Sequence, residues 1–182
     1  MLSPVCHELL AFFVAALLTG VAVKIMDDYV DEESDLLSNR PNLCHRYGRD
    51  ITVYGFWSLL AAAAIELPTA TGLFAAAYAV GMAFRDTSIY LSRLSNLGEG
   101  TLSIAFSILV AGFSTTAVAL SLMAAIQLWD DWLDEGRPLI NVVVASGCVG
   151  LALLVDGALA SMVLFAYAVL FAMERWCRPC TS

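Results

Sequence analysis

The sequence predicts an all-α integral membrane protein, a polytopic bundle of about seven transmembrane helices in a single domain covering residues 1–182. Three observations carry this. Hydrophobic residues make up 60% of the chain and charged residues only 14%, about half the share of a soluble domain. Mean hydropathy is +0.78, and the apolar residues fall into long runs rather than alternating with polar ones. The 9 Lys and Arg residues sit between those runs, where one orientation places all of them on the same side.

The first run, Leu9 to Met26, has no basic residue before it and no small-residue cleavage site after it, so it reads as a retained helix rather than a leader. Runs from Ile51 to Ile65 and Thr71 to Phe84 follow, separated by the Glu66 to Thr69 turn with Pro68. The stretch from Arg85 to Gly100 is polar and predicts a cytoplasmic loop or cap. Leu102 to Trp129 is too long for one span and short for two. A break between Gly112 and Thr116 resolves it. Lys24, Arg40, Arg46, Arg49, Arg85, Arg93, Arg137, Arg175 and Arg178 then share the cytoplasmic side, with the N-terminus outside. The runs Leu139 to Val155 and Ala158 to Met173 complete the bundle, joined by Asp156-Gly157 as a tight turn.

A net charge of -8 argues against nucleic-acid binding, and most of the excess lies in two acidic phrases. The five cysteines are unevenly placed, with Cys148 inside an apolar run, and read as reduced thiols. Cys44-His45 and Cys177-x-x-Cys180 would share the cytoplasmic side, but their spacing is not a recognised zinc pattern.

The two acidic phrases are Asp27-Asp28-Tyr29-Val30-Asp31 and Asp130-Asp131-Trp132-Leu133-Asp134, both Asp-Asp-x-x-Asp, ~103 residues apart. Each follows directly on an apolar run. On a helix, Asp28, Asp31 and Asp35 would share a face, as would Asp130 or Asp131 with Asp134. A carboxylate inside a spanning helix costs roughly 2.5 to 3.5 kcal/mol on insertion scales, and the negative end of the helix dipole prefers cations there. Hard divalent ions offset that cost. Mg2+ is the ion that takes carboxylate oxygens, keeps waters and fills its other positions with substrate phosphates. Both copies on one side make a parallel repeat.

These residues resemble the UbiA superfamily of intramembrane prenyltransferases. Its first signature is matched by Asp27-Asp28-x-x-Asp31-x-x-x-Asp35 followed by Arg40-Pro41, and its second, Asp-x-x-x-Asp, by Asp130 to Asp134. The likeness runs from Leu9 to about Pro138. Members are usually longer and carry a helix before the one bearing the first signature, so this chain is similar to a reduced form. It also has Gln127 and a doubled Asp130-Asp131 where the family enters the second signature through a basic residue.

The resemblance implies that Asp28, Asp31 and Asp35 hold one Mg2+ and Asp130 with Asp134 a second, Asp27 and Asp131 completing the metal-binding set. The ions would clamp an isoprenoid diphosphate, and Arg40, Arg46, Arg93 or Lys24 would add hydrogen bonds to its phosphates. Lys24 has an alternative: it stands one turn before Asp28 and can pair with it. The prenyl group would pass to an aromatic or membrane-lipid acceptor, or be captured by its own double bonds as in a terpene cyclase. Tyr29, Trp129 and Trp132 are either walls for a carbocation or interfacial anchors. The rival class is a divalent-cation transporter lined by the two Asp clusters. Such an enzyme would be a multi-pass protein of the cell membrane, its small bundle open to homo-oligomerisation.

Overall fold

The computed structural model describes residues 3–38, 40–83, 96–135 and 138–177, and every regular element among them is helical. Helix α1 (Pro4–Val30) starts at Ser3, whose hydroxyl accepts from the Cys6 N–H, with Pro4 at a position where its missing donor costs nothing. It runs past Met26 and takes Asp27, Asp28 and Tyr29 into its last turn. Asp31 ends it with φ -90° and ψ 7°. Two short helices, α2 (Glu32–Leu37) and α3 (Leu43–Tyr47), and a 3-10 turn (Arg49–Ile51) form a cover segment before α4 (Thr52–Ile65).

Next come α5 (Leu67–Ala77), prolonged by a π-helical turn over Tyr78–Ala83, then α6 (Asn96–Glu135), α7 (Ile140–Val155) and α8 (Gly157–Cys177). The helix expected from Thr71 begins earlier, at Leu67, because Glu66 caps it: its Oε2 accepts the Thr69 N–H at 2.6 Å. The end of the loop expected from Arg85 to Gly100 is also helical. Asn96 to Gly100 form the first turn of α6, where Glu99 Oε2 accepts the Tyr78 hydroxyl at 2.7 Å. Residues 85–95, Arg93 among them, lie outside the described residues.

Helix α6 is a hairpin. As one rod its 40 residues would extend ~60 Å, twice the thickness of a hydrocarbon core. Gly112, at φ 82° and ψ 165°, breaks it into limbs over 96–111 and 113–135. The Ser107 and Thr116 hydroxyls then meet at 2.8 Å, although nine residues of unbroken helix would separate them by ~13 Å. Both limbs lie on α5, Ser103 reaching the Ala75 carbonyl and Thr115 closing on Gly72, where a Cβ would stand 3.3 Å from Thr115 Cγ2. The break expected between Gly112 and Thr116 is therefore a one-residue reversal.

Among the described residues three helices, α1, α6 with its two limbs taken together, and α8, are long and apolar enough to cross a membrane by length and composition. The others are shorter. Helices α4 and α7, with 14 and 16 residues, rise ~21 and ~24 Å against a hydrocarbon core of ~30 Å.

The acidic repeat extends through the fold. At a separation of ~103 residues, Ala15, Ala16, Thr19 and Ala22 of α1 correspond to Val118, Ala119, Leu122 and Ala125 of α6, and all eight are buried. At ~90 residues, Ala62 of α4 corresponds to Ala152 of α7, while Ala70, Leu73 and Ala76 of α5 correspond to Ala160, Val163 and Ala166 of α8, again all buried. The turns match as well. Glu66 (φ -152°, ψ 91°) and Asp156 (φ -151°, ψ 96°) each interrupt a helical run for one residue and cap the next helix.

The chain is thus two three-helix units, α1–α4–α5 and second limb–α7–α8, with the first limb of α6 between them. Each unit packs its first helix on the last helix of the other, α1 on α8 and the second limb on α5. Alanine and glycine line these seams, which lets backbones approach closely where lipid supplies no hydrophobic drive for helix association. A shared core of Ala16, Leu73, Val118, Leu122, Val163 and Ala166 fills the centre.

Candidate functional site at one end of the bundle

Both acidic phrases border the C-terminal half of α8. Lys24, one turn before Asp28, lies within electrostatic reach of Glu174, and Tyr167 donates its hydroxyl to Asp130 Oδ1 at 3.1 Å. The repeat is therefore parallel, with its two acidic phrases at the same end of the bundle.

In the first phrase Asp28 is buried, 3% exposed, and both its oxygens are engaged. Lys24 Nζ stands 3.0 Å from Oδ1, and the Leu43 N–H donates to Oδ2 at 2.9 Å. Lys24 therefore makes the salt bridge open to it in the sequence. Asp28, Asp31 and Asp35 span the junction of α1 and α2, across which the Asp31 N–H bonds the Asp27 carbonyl and the Asp35 N–H the Asp31 carbonyl, and they differ in exposure: Asp28 is buried and Asp31 open. Asn42 links Asp28 to Asp35. Its Nδ2 donates to the Asp28 carbonyl at 2.6 Å and to Asp35 Oδ2 at 2.8 Å, while its Oδ1 caps α3 by accepting the Cys44 N–H at 2.8 Å. Asp27 and Asp31 remain exposed, and among the described residues neither carboxylate makes a hydrogen bond or ion pair.

The cover segment is tied down at a second point. Arg49 Nε donates to Glu32 Oε2 at 2.6 Å, and His45 Nε2 donates to the Glu32 carbonyl at 2.9 Å. Arg40 is exposed, its backbone N–H bonded to the Asp35 carbonyl, and Arg46 lies over the Tyr47 ring at 5.2 Å. Beneath them Cys44 is buried. Loss of solvent, then the carboxylates of Glu32 and Asp28, push its thiol above the usual range, which disfavours the thiolate a zinc site needs. The Cys177 side chain and Cys180 lie outside the described residues.

The second phrase is built like the first. Gln127, the repeat counterpart of Lys24, donates from Nε2 to Asp131 Oδ1 at 3.1 Å, as Lys24 pairs with Asp28. In both units a donor sits four residues before the aspartate it bonds, charged in one and neutral in the other. Asp134 belongs to α6, but its side chain lies outside the described residues.

Among the described residues no group of three or more His, Cys, Asp or Glu side chains gathers into a metal site. The donor chemistry still suits a hard cation that keeps several waters. Asp27 and Asp31 offer exposed carboxylates, and each oxygen of Asp130 can accept more than one bond. Sequence reasoning missed Asn42, Gln127, Arg49 and Tyr167. Asn42 left a signal, since asparagine is a preferred helix cap, whereas Tyr167 stands 37 residues from Asp130 and left none.

No family model matches the chain, and no similar curated protein or solved structure is found. The resemblance to the UbiA superfamily rests on the motif residues themselves.

Proposed function

We propose that the protein is a Mg2+-dependent intramembrane prenyltransferase that binds an isoprenoid diphosphate and passes its prenyl group to an aromatic or lipid acceptor. The observation that carries this reading is the parallel duplication, which sets two Asp-Asp-x-x-Asp phrases against the same end of α8. A transporter built from the same repeat would use acidic groups along a path through the bilayer, and a shared end suits a two-sided clamp on one substrate better. We place the protein in the cell membrane as a multi-pass bundle with this end cytoplasmic.

In this reading Asp27, Asp31, Asp130, Asp131 and Asp134 hold the cations, with Asp28 and Asp35 fixing the cover segment from beneath. Bound Mg2+ supplies charge neutralisation at the diphosphate oxygens. Arg40 and Arg46, exposed on the cover segment, donate to the phosphates, with Arg93 from the segment before α6 as a third donor. Lys24 holds Asp28 in place and touches no substrate. The acceptor reaches the prenyl group from the bilayer, and product analysis separates transfer from cyclisation.

The test is binding of geranyl, farnesyl and geranylgeranyl diphosphates to detergent-purified protein, with and without Mg2+, beside Asp31→Ala and Asp130→Ala. We expect Mg2+-dependent binding that falls at least tenfold in each variant. Binding of Mg2+ without any affinity for diphosphate would instead favour cation transport.

A further inference from the structure

Between the second limb of α6 and α8 an open pocket of ≈ 190 Å³ is lined by Trp129, Leu133, Tyr167, Ala168 and Phe171. That is smaller than a site for a drug-sized ligand and leaves room for one small group. Three of the five residues are aromatic and none is basic. The Tyr167 and Phe171 rings lie side by side, their centroids 6.1 Å apart, and the Tyr167 hydroxyl is anchored on Asp130 Oδ1. Asp130 does not line the pocket itself but touches its aromatic wall through that hydroxyl.

The duplicated fold does not require those rings. The α1 counterparts of Trp129 and Leu133 are Met26 and Val30, both exposed, so the first unit builds the same helix end with aliphatic side chains. Aromatic faces carry negative potential and attract cations. A primary ammonium or guanidinium would seek direct hydrogen bonds, which ring faces cannot give. A trimethylammonium group has no N–H and an apolar surface, so it is held by ring faces with an anion near by.

We propose that this pocket binds a quaternary ammonium group, with Trp129, Tyr167 and Phe171 as its walls and Asp130 as its counter-charge. The site shares Asp130 with the cation-binding set proposed above, but its test uses neither diphosphate nor Mg2+, so the two readings fail separately. Full-length protein is placed in phosphatidylglycerol nanodiscs, and binding of radiolabelled choline is measured by equilibrium dialysis beside competition by tetramethylammonium and by the uncharged carbon isostere of choline. Saturable choline binding is expected, displaced by tetramethylammonium and at least tenfold less well by the isostere, with about tenfold weaker binding in Trp129→Leu and in Asp130→Asn. Trp132→Leu, outside the pocket, should leave binding unchanged and controls for general damage to the helix end.

Equal competition by the isostere would overturn the proposal and reduce the pocket to an apolar groove. Absence of saturable binding, or full binding by Trp129→Leu, would overturn it as well. Repeating the titration in phosphatidylcholine nanodiscs assigns the source of the group. Choline binding suppressed there supports the site as a lipid-headgroup position, whereas undiminished binding supports it as a site for a soluble quaternary amine.

Discussion

Asn42 joins three pieces of chain that the sequence leaves separate: the end of α1, the middle of α2 and the start of α3. It is 7% exposed, and all its partners are main-chain groups or the Asp35 carboxylate. Replacing it with alanine removes three bonds and strands the buried Asp28 carbonyl and Cys44 N–H. Each stranded group costs about 1–3 kcal/mol, so Asn42→Ala should lose about 2–6 kcal/mol of stability, read as a lower unfolding midpoint in detergent. An unchanged midpoint would mean that the cover segment is held by Arg49 and Glu32 alone. The acidic residues themselves were legible by type and spacing. Their partners were not, since Lys24 had two plausible roles and only packing against the Leu43 backbone shows that Asp28 is enclosed.

Helix runs were largely legible because apolar length and turn residues act locally. Ile65 and Val155 end their helices as expected, and Glu66 and Asp156 occupy the turns. Helix α1 departs from expectation at its acidic end: hydropathy falls at Asp27, yet the backbone stays helical to Val30 because Lys24 and the Leu43 N–H stabilise Asp28 in helical geometry. At Gly112 the positive φ, with ψ at 165°, lets α6 reverse in one residue, a conformation open essentially only to glycine that costs an L-residue with a Cβ roughly 1–3 kcal/mol. A Cβ there meets nothing within 4 Å, so strain is the whole penalty. Gly112→Ala should therefore lower stability by about 1–3 kcal/mol, whereas Gly147→Ala, within α7 and equally open, should be neutral or slightly stabilising by thermal unfolding. Equal effects would exclude backbone strain at the reversal.

In the assembled molecule, the two three-helix units exchange helices across a common core. Helix α1 finds most of its foreign contact on α8, and the second limb of α6 on α5, so neither unit buries its small-residue stripes alone. Cutting the chain between residues 84 and 95 and co-expressing the halves should give a complex that co-purifies through a tag on either half. Each half expressed singly should be degraded or aggregate. Recovery of a stable single half would show that the exchanged packing is dispensable. The seam between α1 and α8 is closed by Phe13 and Phe165, ring centroids 5.2 Å apart, whereas in the corresponding seam Ser107 of the first limb meets Thr116 and Ala75 replaces the bulky Phe165. One extra helix therefore does in the second seam what two aromatic rings do in the first.

By itself the sequence determined an apolar helical chain, the positions of its turns and two copies of an acidic phrase, because hydropathy, turn chemistry and carboxylate spacing are properties of neighbouring residues. Tertiary structure decided the rest. That Asp28 is sealed by a backbone amide from the cover segment, that Asn42 ties α1 to α2 and α3, and that Tyr167 reaches Asp130 all depend on contacts between residues far apart in the chain. Such contacts form only once helices with small-residue faces have packed, and no local pattern encodes which carboxylate that packing will enclose and which it will leave open.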